Sequence, residues 1–272
     1  MKITFVGTGM SGTLKNNQTN FMITRNHKNL LIDAGDDIRF SLNKIGLGCK
    51  DIDALYITHL HGDHSHGVEW LGLTNHFTPG CEKITMIGNS DLIREGWNNC
   101  WKAGLKSLQG QKTTLEDFYD VQMIKKNGKF FWEDIEFHIV QSIHIMDEYS
   151  IVLSFGLMII DPDTGKKIYY TGDTQFCPNQ ISDFYKQADI IINDCETSSF
   201  KSGVHANYLD LITLPDDTKK KMMLVHYQDN VIDQADAWKE SAKGAGFTSW
   251  DGKNYGFIPQ GFVFDTKEWK AV

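Results

Sequence analysis

Short apolar runs recur along the chain, and most of them end at glycine, aspartate or another turn former. Runs of this kind, rich in isoleucine, valine and aromatic residues, predict strands. They fall at 3–6, 21–24, 30–33, 55–58, 84–87, 137–140, 151–160, 167–171, 190–194, 222–226 and 261–264. Helical spacing lies between some of them. Ile38, Leu42 and Ile45 follow at i, i+4 and i+7, and Gly46 and Gly48 supply the stop. A shorter helix is predicted to carry Phe184 and Gln187 and to end before Ala188.

The alternation has an internal echo. Leu30-Leu31-Ile32-Asp33-Ala34-Gly35-Asp36 leads through a helix to Asp53-Ala54-Leu55-Tyr56-Ile57-Thr58-His59. Ile168-Tyr169-Tyr170-Thr171-Gly172-Asp173-Thr174 leads through another to Ala188-Asp189-Ile190-Ile191-Ile192-Asn193-Asp194. Each unit reads strand, Gly/Asp turn, helix, strand, polar loop. The pattern predicts an α/β fold, and two such halves facing each other would bring both sets of polar loops to one cleft. No Gly/Ser-rich spacer or low-complexity stretch divides the chain, so residues 1–272 are expected to form a single domain.

Composition narrows the functional classes. A net charge of -8 lacks the basic stripe of a nucleic-acid binder, and Lys219-Lys220-Lys221 reads as a solvated helix face. The five cysteines (Cys49, Cys81, Cys100, Cys177 and Cys195) are widely and irregularly spaced, with no Cys-x-x-Cys pair. A disulfide framework and a thiolate zinc site are therefore not expected. Cys195 is expected to be a small buried thiol. The chain enters its first strand too early for a signal h-region, and its longest apolar stretch, 151–160, is far short of a membrane span. A soluble protein of a reducing compartment, the cytoplasm, is expected, with no membrane partner.

The chemistry concentrates in Thr58-His59-Leu60-His61-Gly62-Asp63-His64-Ser65-His66-Gly67, directly after an apolar strand. Imidazoles and carboxylates crowd together like this when a cation offsets their mutual cost. Two apart in an extended segment, His59 and His61 can share one cation. Gly62 lets the chain turn, so that Asp63 and His64 face elsewhere, toward a second. Further ligands must come from other strands. His144 is predicted to follow the strand at 137–140, Asp173 lies at the end of 167–171, and His226 ends 222–226, at the carboxyl ends where α/β sites gather. A lone strand-end histidine is more often structural, and aspartate after glycine more often forms a turn. Their joint occurrence with the histidine-rich loop favours ligation.

These ordered motifs resemble the metallo-β-lactamase fold superfamily over essentially the whole chain. The resemblance implies an αββα sandwich with two divalent metal ions at its edge, zinc by expectation with manganese as the alternative. It implies that His59, His61 and His144 hold the first ion, that Asp63, His64 and His226 hold the second, and that Asp173 bridges them. Asp33 is the matching carboxylate behind a ligand histidine. Within the superfamily the chain is similar to ribonuclease-Z-like phosphodiesterases. Phe5-Val6-Gly7-Thr8-Gly9, Asn20, Leu31-Ile32-Asp33-Ala34-Gly35 and Asp194-Cys195-Glu196-Thr197 followed by His205 carry that likeness. It implies catalytic roles for Asp63 and for His205, the latter as general acid, although Ala206 stands where serine is common in the group.

Two features weigh on the choice of phosphodiester. The interval from His144 to Asp173 is filled by strand pattern and the Asp161-Pro162-Asp163-Thr164-Gly165 turn, leaving no room for an arm that grips transfer RNA. The acidic charge points the same way. The compact chain resembles cyclic-nucleotide phosphodiesterases of the phage anti-Pycsar type. That resemblance implies hydrolysis of 3′,5′-cyclic nucleotides such as cCMP, cUMP, cAMP or cGMP to nucleoside 5′-monophosphates, counteraction of cyclic-nucleotide antiphage signalling, and a homodimer. No stable nucleic-acid partner is expected. The alternatives are a transfer RNA 3′-processing endonuclease and a hydrolase of a non-phosphate substrate. Trp97, Trp101, Phe118 and Tyr119, in an aromatic-rich stretch that in such enzymes contributes a lid and dimer contact, each read first as core or interface residues. His66, His76 and His138 receive no role.

Overall fold

In a computed structural model, residues 1–125 and 128–272 are described. The strands are β1 (Lys2–Gly7), β2 (Asn20–Arg25), β3 (Lys28–Ile32), β4 (Ala54–Tyr56), β5 (Ile84–Asn89), β6 (Ser107–Leu108), β7 (Gln111–Lys112), β8 (Tyr119–Ile124), β9 (Lys129–Trp132), β10 (Ile135–Asp147), β11 (Ser150–Ile160), β12 (Lys167–Tyr170), β13 (Ile190–Asp194), β14 (Met222–Val225), β15 (Val263–Asp265) and β16 (Lys270–Ala271). The helices are α1 (Ile38–Lys44), α2 (Gly62–Ser65), α3 (Gly67–Phe77), α4 (Ser90–Gly96), α5 (Lys102–Leu105), α6 (Pro178–Gln187), α7 (Tyr208–Leu211), α8 (Asp216–Lys219), α9 (Asn230–Asp233) and α10 (Ala235–Ala245).

Two large sheets face each other between helical layers, the expected αββα sandwich. One runs β16-β15-β1-β2-β3-β4-β5-β8 and the other β14-β13-β12-β11-β10-β9, while β6 and β7 make a small hairpin. The two echoing units occupy matching places. β3, α1 and β4 form a parallel unit in the first sheet, as β12, α6 and β13 do in the second.

Strand periodicity explains the layers. On β13, Ile190 and Ile192 enter the core between the sheets, whereas Ile191 enters the outer core under the helices. On β14, Met223 and Val225 point inward and Met222 and Leu224 outward. Both faces of these parallel strands are buried, so the sequence shows unbroken apolar runs rather than alternation. Each such side chain contributes about 1.5–3 kcal/mol relative to exposure.

Several elements go beyond the sequence pattern, and two of these departures bear on the site. The strand expected at 137–140 continues as β10 to Asp147 because it pairs along the length of β11. His144 is therefore inside a strand, not beyond one. The register shifts between Ile143 and Ile145, so a bulge leaves His144 out of the ladder and re-aims its side chain. The second is α3, Gly67–Phe77, for which the sequence pattern predicts no helix. A Cβ on Gly67 would lie 2.5 Å from Ile38 Cγ2 and 2.7 Å from the Gly35 carbonyl oxygen, so this glycine serves close packing against α1. No described helix is long and apolar enough to cross a membrane.

Candidate metal centre

The histidine-rich segment is held from both sheets. β4 ends at Tyr56, whose hydroxyl donates to Phe155 O at 2.9 Å, and Phe155 N donates to Thr58 O at 2.9 Å. The chain then runs extended through His61 and enters α2 at Gly62, with Ser65 Oγ donating to Leu60 O and His61 O at 3.1 Å. Thus His59 and His61 leave an extended segment while Asp63 and His64 leave a helical turn.

Asp33 anchors this arrangement. It follows β3 with φ +65°, a conformation rare for a non-glycine residue and typical of over-determined sites. Its carboxylate accepts Thr58 N at 2.8 Å and Thr58 Oγ1, and lies 2.9 Å from His64 Nδ1. His226 has a similar backbone, φ +66°, and its N–H donates to Thr8 O at 2.8 Å. Asp173 follows Gly172, which supplies φ +60° without the Cβ penalty.

The scattered residues meet. His59, His61, His144 and Asp173 present ligand atoms all within 4.8 Å of one another, and so do Asp63, His64, Asp173 and His226. Asp173 belongs to both quartets. Its Oδ2 lies 3.6 Å from His59 Nε2, 3.8 Å from His144 Nε2 and 3.5 Å from His226 Nε2, and its Oδ1 lies 3.3 Å from His64 Nε2. Asp63 Oδ2 lies 3.2 Å from His226 Nε2 and 3.3 Å from His64 Nε2. His61 is the exposed member, with Nδ1 3.1 Å from His144 Nε2.

The ring orientations are set from behind. His144 Nδ1 donates to Val204 O at 3.0 Å, which leaves Nε2 as a lone-pair donor toward the cluster. His64 is held the same way by Asp33. The Nε2 atoms of His59 and His64 are buried yet make no aligned hydrogen bond. Their ion-pair distances to carboxylates are those of groups facing a common centre. Orphaned buried nitrogens beside convergent carboxylates fit divalent cations, as does the mixed imidazole and carboxylate donor set.

Electrostatics separates the quartets. Burial pushes His59, His61 and His144 below the ordinary imidazole range, which favours neutral rings. In the second quartet burial opposes charge, but the carboxylate of Asp173, with others beside it, lifts His64 and His226 well above that range. Asp63 and Asp173 are correspondingly held below the usual carboxylate range, against their burial, by these imidazoles.

A further carboxylate joins the site from the end of β13. Asp194 Oδ2 lies 2.8 Å from His205 Nδ1, its Oδ1 lies 3.4 Å from His226 Nδ1, and Thr174 N donates to it at 2.9 Å. Burial opposes the charge on His205, but the Asp194 carboxylate raises its pKa. The sequence places Asp194 within the Asp194-Cys195-Glu196-Thr197 motif but assigns it no role. The signal was available: an aspartate ending an apolar strand, in the position that His59 approaches in the first half.

The remaining residues lie as follows. Trp101, Phe118 and Tyr119 are buried; Trp101 Nε1 donates to Ser65 O at 3.1 Å, tying the aromatic-rich stretch to α2. Trp97 is half-buried against the same core. Cys195 is fully buried. His66 pairs with Asp36 and His138 with Glu136 in the open, while His76 packs against Phe118.

The sequence signature described as anti-Pycsar protein Apyc1 matches residues 1–249. The chain belongs to the anti-Pycsar protein Apyc1 family. A curated member from Bacillus phage vB_BsuM-Goe3 is 29% identical over 240 residues, covering 85% of this chain and 90% of its own. Among solved structures, a diphosphatase of the PhnP family matches with TM-score 0.71 at 17% identity, covering 100% of this chain and 99% of its own. Zn(2+)-bound PqqB from Methylobacterium extorquens matches with TM-score 0.73 at 14% identity, covering 97% and 100%. These structural likenesses are to metallo-β-lactamase folds. Membership of the Apyc1 family and the histidine–aspartate cluster together make the chain a metal-dependent hydrolase.

Proposed function

We propose that this Apyc1-family enzyme is a dinuclear phosphodiesterase that opens 3′,5′-cyclic nucleotides to nucleoside 5′-monophosphates, and that it counteracts cyclic-nucleotide antiphage signalling. The observation that carries the reading is the convergence of two ligand quartets on the shared Asp173 with His205 beside them. His59, His61 and His144 would hold one cation and Asp63, His64 and His226 the other, with Asp173 common to both and zinc or manganese as the ions. When bound, such a pair lowers the pKa of water toward neutrality and offsets charge on phosphoryl oxygens.

The protein's own groups supply the rest. Water oxygen bonds to phosphorus and gives up one proton to solvent, the bond from phosphorus to O3′ breaks, and O3′ leaves as an alkoxide that needs a proton. His205 holds one: Asp194 engages Nδ1, and Nε2 has no partner among the described residues. Proton donation of this kind contributes ~10²–10⁴-fold. Asp63 Oδ2 and His226 Nε2, 3.2 Å apart, face the same centre, and Asp194 beside His226 Nδ1 keeps that ring turned inward.

A small substrate is supported by the path from His144 to Asp173, which β10, β11 and β12 occupy without an inserted arm. A homodimer belongs to the same reading. The tip of the β10–β11 hairpin supports it, with Met146, Tyr149 and Ile151 exposed there. The test offers purified protein, loaded with Mn²⁺ or Zn²⁺, cyclic nucleotides, precursor transfer RNA and nitrocefin. Turnover of cyclic nucleotides to 5′-monophosphates is expected. Cleavage of precursor transfer RNA with cyclic nucleotides untouched would overturn the reading. Sedimentation of wild type and Tyr149→Asp tests the dimer.

A further inference from the structure

The outer face of the second sheet is covered unevenly. β12 and β13 are parallel, so the chain must cross between them, and it does so through α6. β9, β10, β11 and β12 are antiparallel, joined by short connections, and need no crossover helix. A cavity of about 590 Å³ lies at this boundary, within the range of roughly 300–1,000 Å³ usual for small-ligand sites. Val140 from β10, Met158 and Ile160 from β11 and Phe184 from α6 give it an apolar floor. Val140 and Met158 belong to the outer core, so the cavity opens away from the first sheet. It shares no residue with the metal centre.

The charge of this lining runs against that of the chain. The net charge is -8, yet none of the described residues lining the cavity carries a carboxylate. Lys167 and His138 are its basic groups. Lys167 stands opposite Ile160 in the β11–β12 ladder, at one edge of the apolar floor. Its backbone N–H donates to Asp189 Oδ2 at 2.8 Å, and its ammonium has no ion-pair partner among the described residues. Glu136, near His138 on β10, is engaged twice, by Lys129 Nζ at 2.8 Å and by His138 Nε2 at 3.0 Å. An aliphatic floor thus ends at a cation without a counter-ion. An alkyl chain gains by leaving water along such a floor. An anionic head gains a charge-assisted hydrogen bond from the ammonium, a compact point charge that needs no planar fork opposite it.

We propose that this cavity binds a medium-chain carboxylate, with the alkyl chain against Val140, Met158, Ile160 and Phe184 and the head on Lys167 Nζ. The site is independent of the cyclic-nucleotide reading, and its test reads binding rather than turnover. Calorimetry titrates the full chain with decanoate, with acetate, which lacks the chain, and with decyltrimethylammonium, which carries the opposite head. Decanoate should bind with one molecule per chain and more tightly than either control. Lys167→Gln should weaken decanoate about tenfold, the scale of a lost charge-assisted hydrogen bond, and leave decyltrimethylammonium no weaker. Gln187→Trp, at the exposed end of α6, fills the mouth and should remove decanoate binding while the circular dichroism spectrum stays that of the wild type. Decanoate binding that neither variant weakens, equal affinity for decanoate and decyltrimethylammonium, or no decanoate binding at all would overturn the site. A changed oligomeric state of Gln187→Trp on sedimentation would overturn it too, by making this face an interface between copies of the chain.

Discussion

Asp194 touches two histidines with its two oxygens: Oδ2 lies 2.8 Å from His205 Nδ1 and Oδ1 lies 3.4 Å from His226 Nδ1. One buried carboxylate thereby couples the ring assigned to proton donation with a ring assigned to metal binding. The two neighbours predict different phenotypes. His205→Ala is expected to lower kcat by ~10²–10⁴-fold with metal content unchanged. Asp194→Asn is expected to lower kcat and also weaken metal binding, because it releases His226; losses of a group behind a ligand run roughly 10–100-fold in affinity. Kinetics paired with plasma mass spectrometry of bound metal checks both. Metal loss in His205→Ala would make that residue a ligand.

Asp173 is common to both quartets, whereas His61 belongs to one. Asp173→Ala is therefore expected to deplete both sites and abolish activity. His61→Ala, at the exposed mouth, should deplete one and leave Asp63, His64 and His226 able to retain a cation. Metal-to-protein ratios after dialysis against buffered metal distinguish the two variants. Equal losses would break the division of the ligands into quartets.

The site was legible where its chemistry is local. His59, His61, Asp63 and His64 stand within one short string after a strand, and Asp33, in its Asp-x-Gly turn, lies 2.9 Å from His64 Nδ1. Asp173 and His226 were legible as polar residues ending apolar strands. His144 was identified but misplaced, because a bulge is a property of pairing between two strands and leaves no mark on the apolar pattern of one. Asp194 passed without a role because its meaning lies in partners that are distant in sequence. The parallel strands β3, β4, β5, β12, β13 and β14 were legible from their apolar runs, whereas β8, interrupted by Asp120 and Gln122, was not. α3 was not, since Gly67 serves an approach to α1 that only tertiary structure reveals.

The loop before β2 should carry a pH-dependent contribution. Asp229 accepts from Thr13 Oγ1 and from Leu14 N at 2.8 Å, and Lys15 pairs with Asp233 nearby. Burial tends to raise the Asp229 pKa, but these donors hold it below the usual value of 3.8. A depressed folded-state pKa means stability that is present in full above the unfolded value and is lost as pH falls through the folded one. Asp229→Asn should therefore lower the urea midpoint at pH 7, and the gap from wild type should narrow as pH drops below about 4. A gap that widens in acid would contradict the assigned sign.

Gly172 sets the backbone that presents Asp173. Its φ is +60°, and a Cβ there would lie 2.3 Å from Ser154 Oγ. Gly172→Ala thus meets two separate penalties. The left-handed conformation costs an L-residue about 1–2 kcal/mol, and the contact with Ser154 Oγ must be relieved either by rotation of that hydroxyl or by displacement of β11 or of Asp173. Ser154→Ala removes the contact but not the conformational cost. The double variant should therefore recover part of the stability lost by Gly172→Ala, while the residual loss stays near the conformational figure. Urea unfolding of the wild type, both single variants and the double variant closes this cycle. Metal affinity should follow the displacement of Asp173 and recover alongside stability. Full recovery in the double variant would mean that the contact alone requires glycine, and no recovery would mean that the backbone angle alone does.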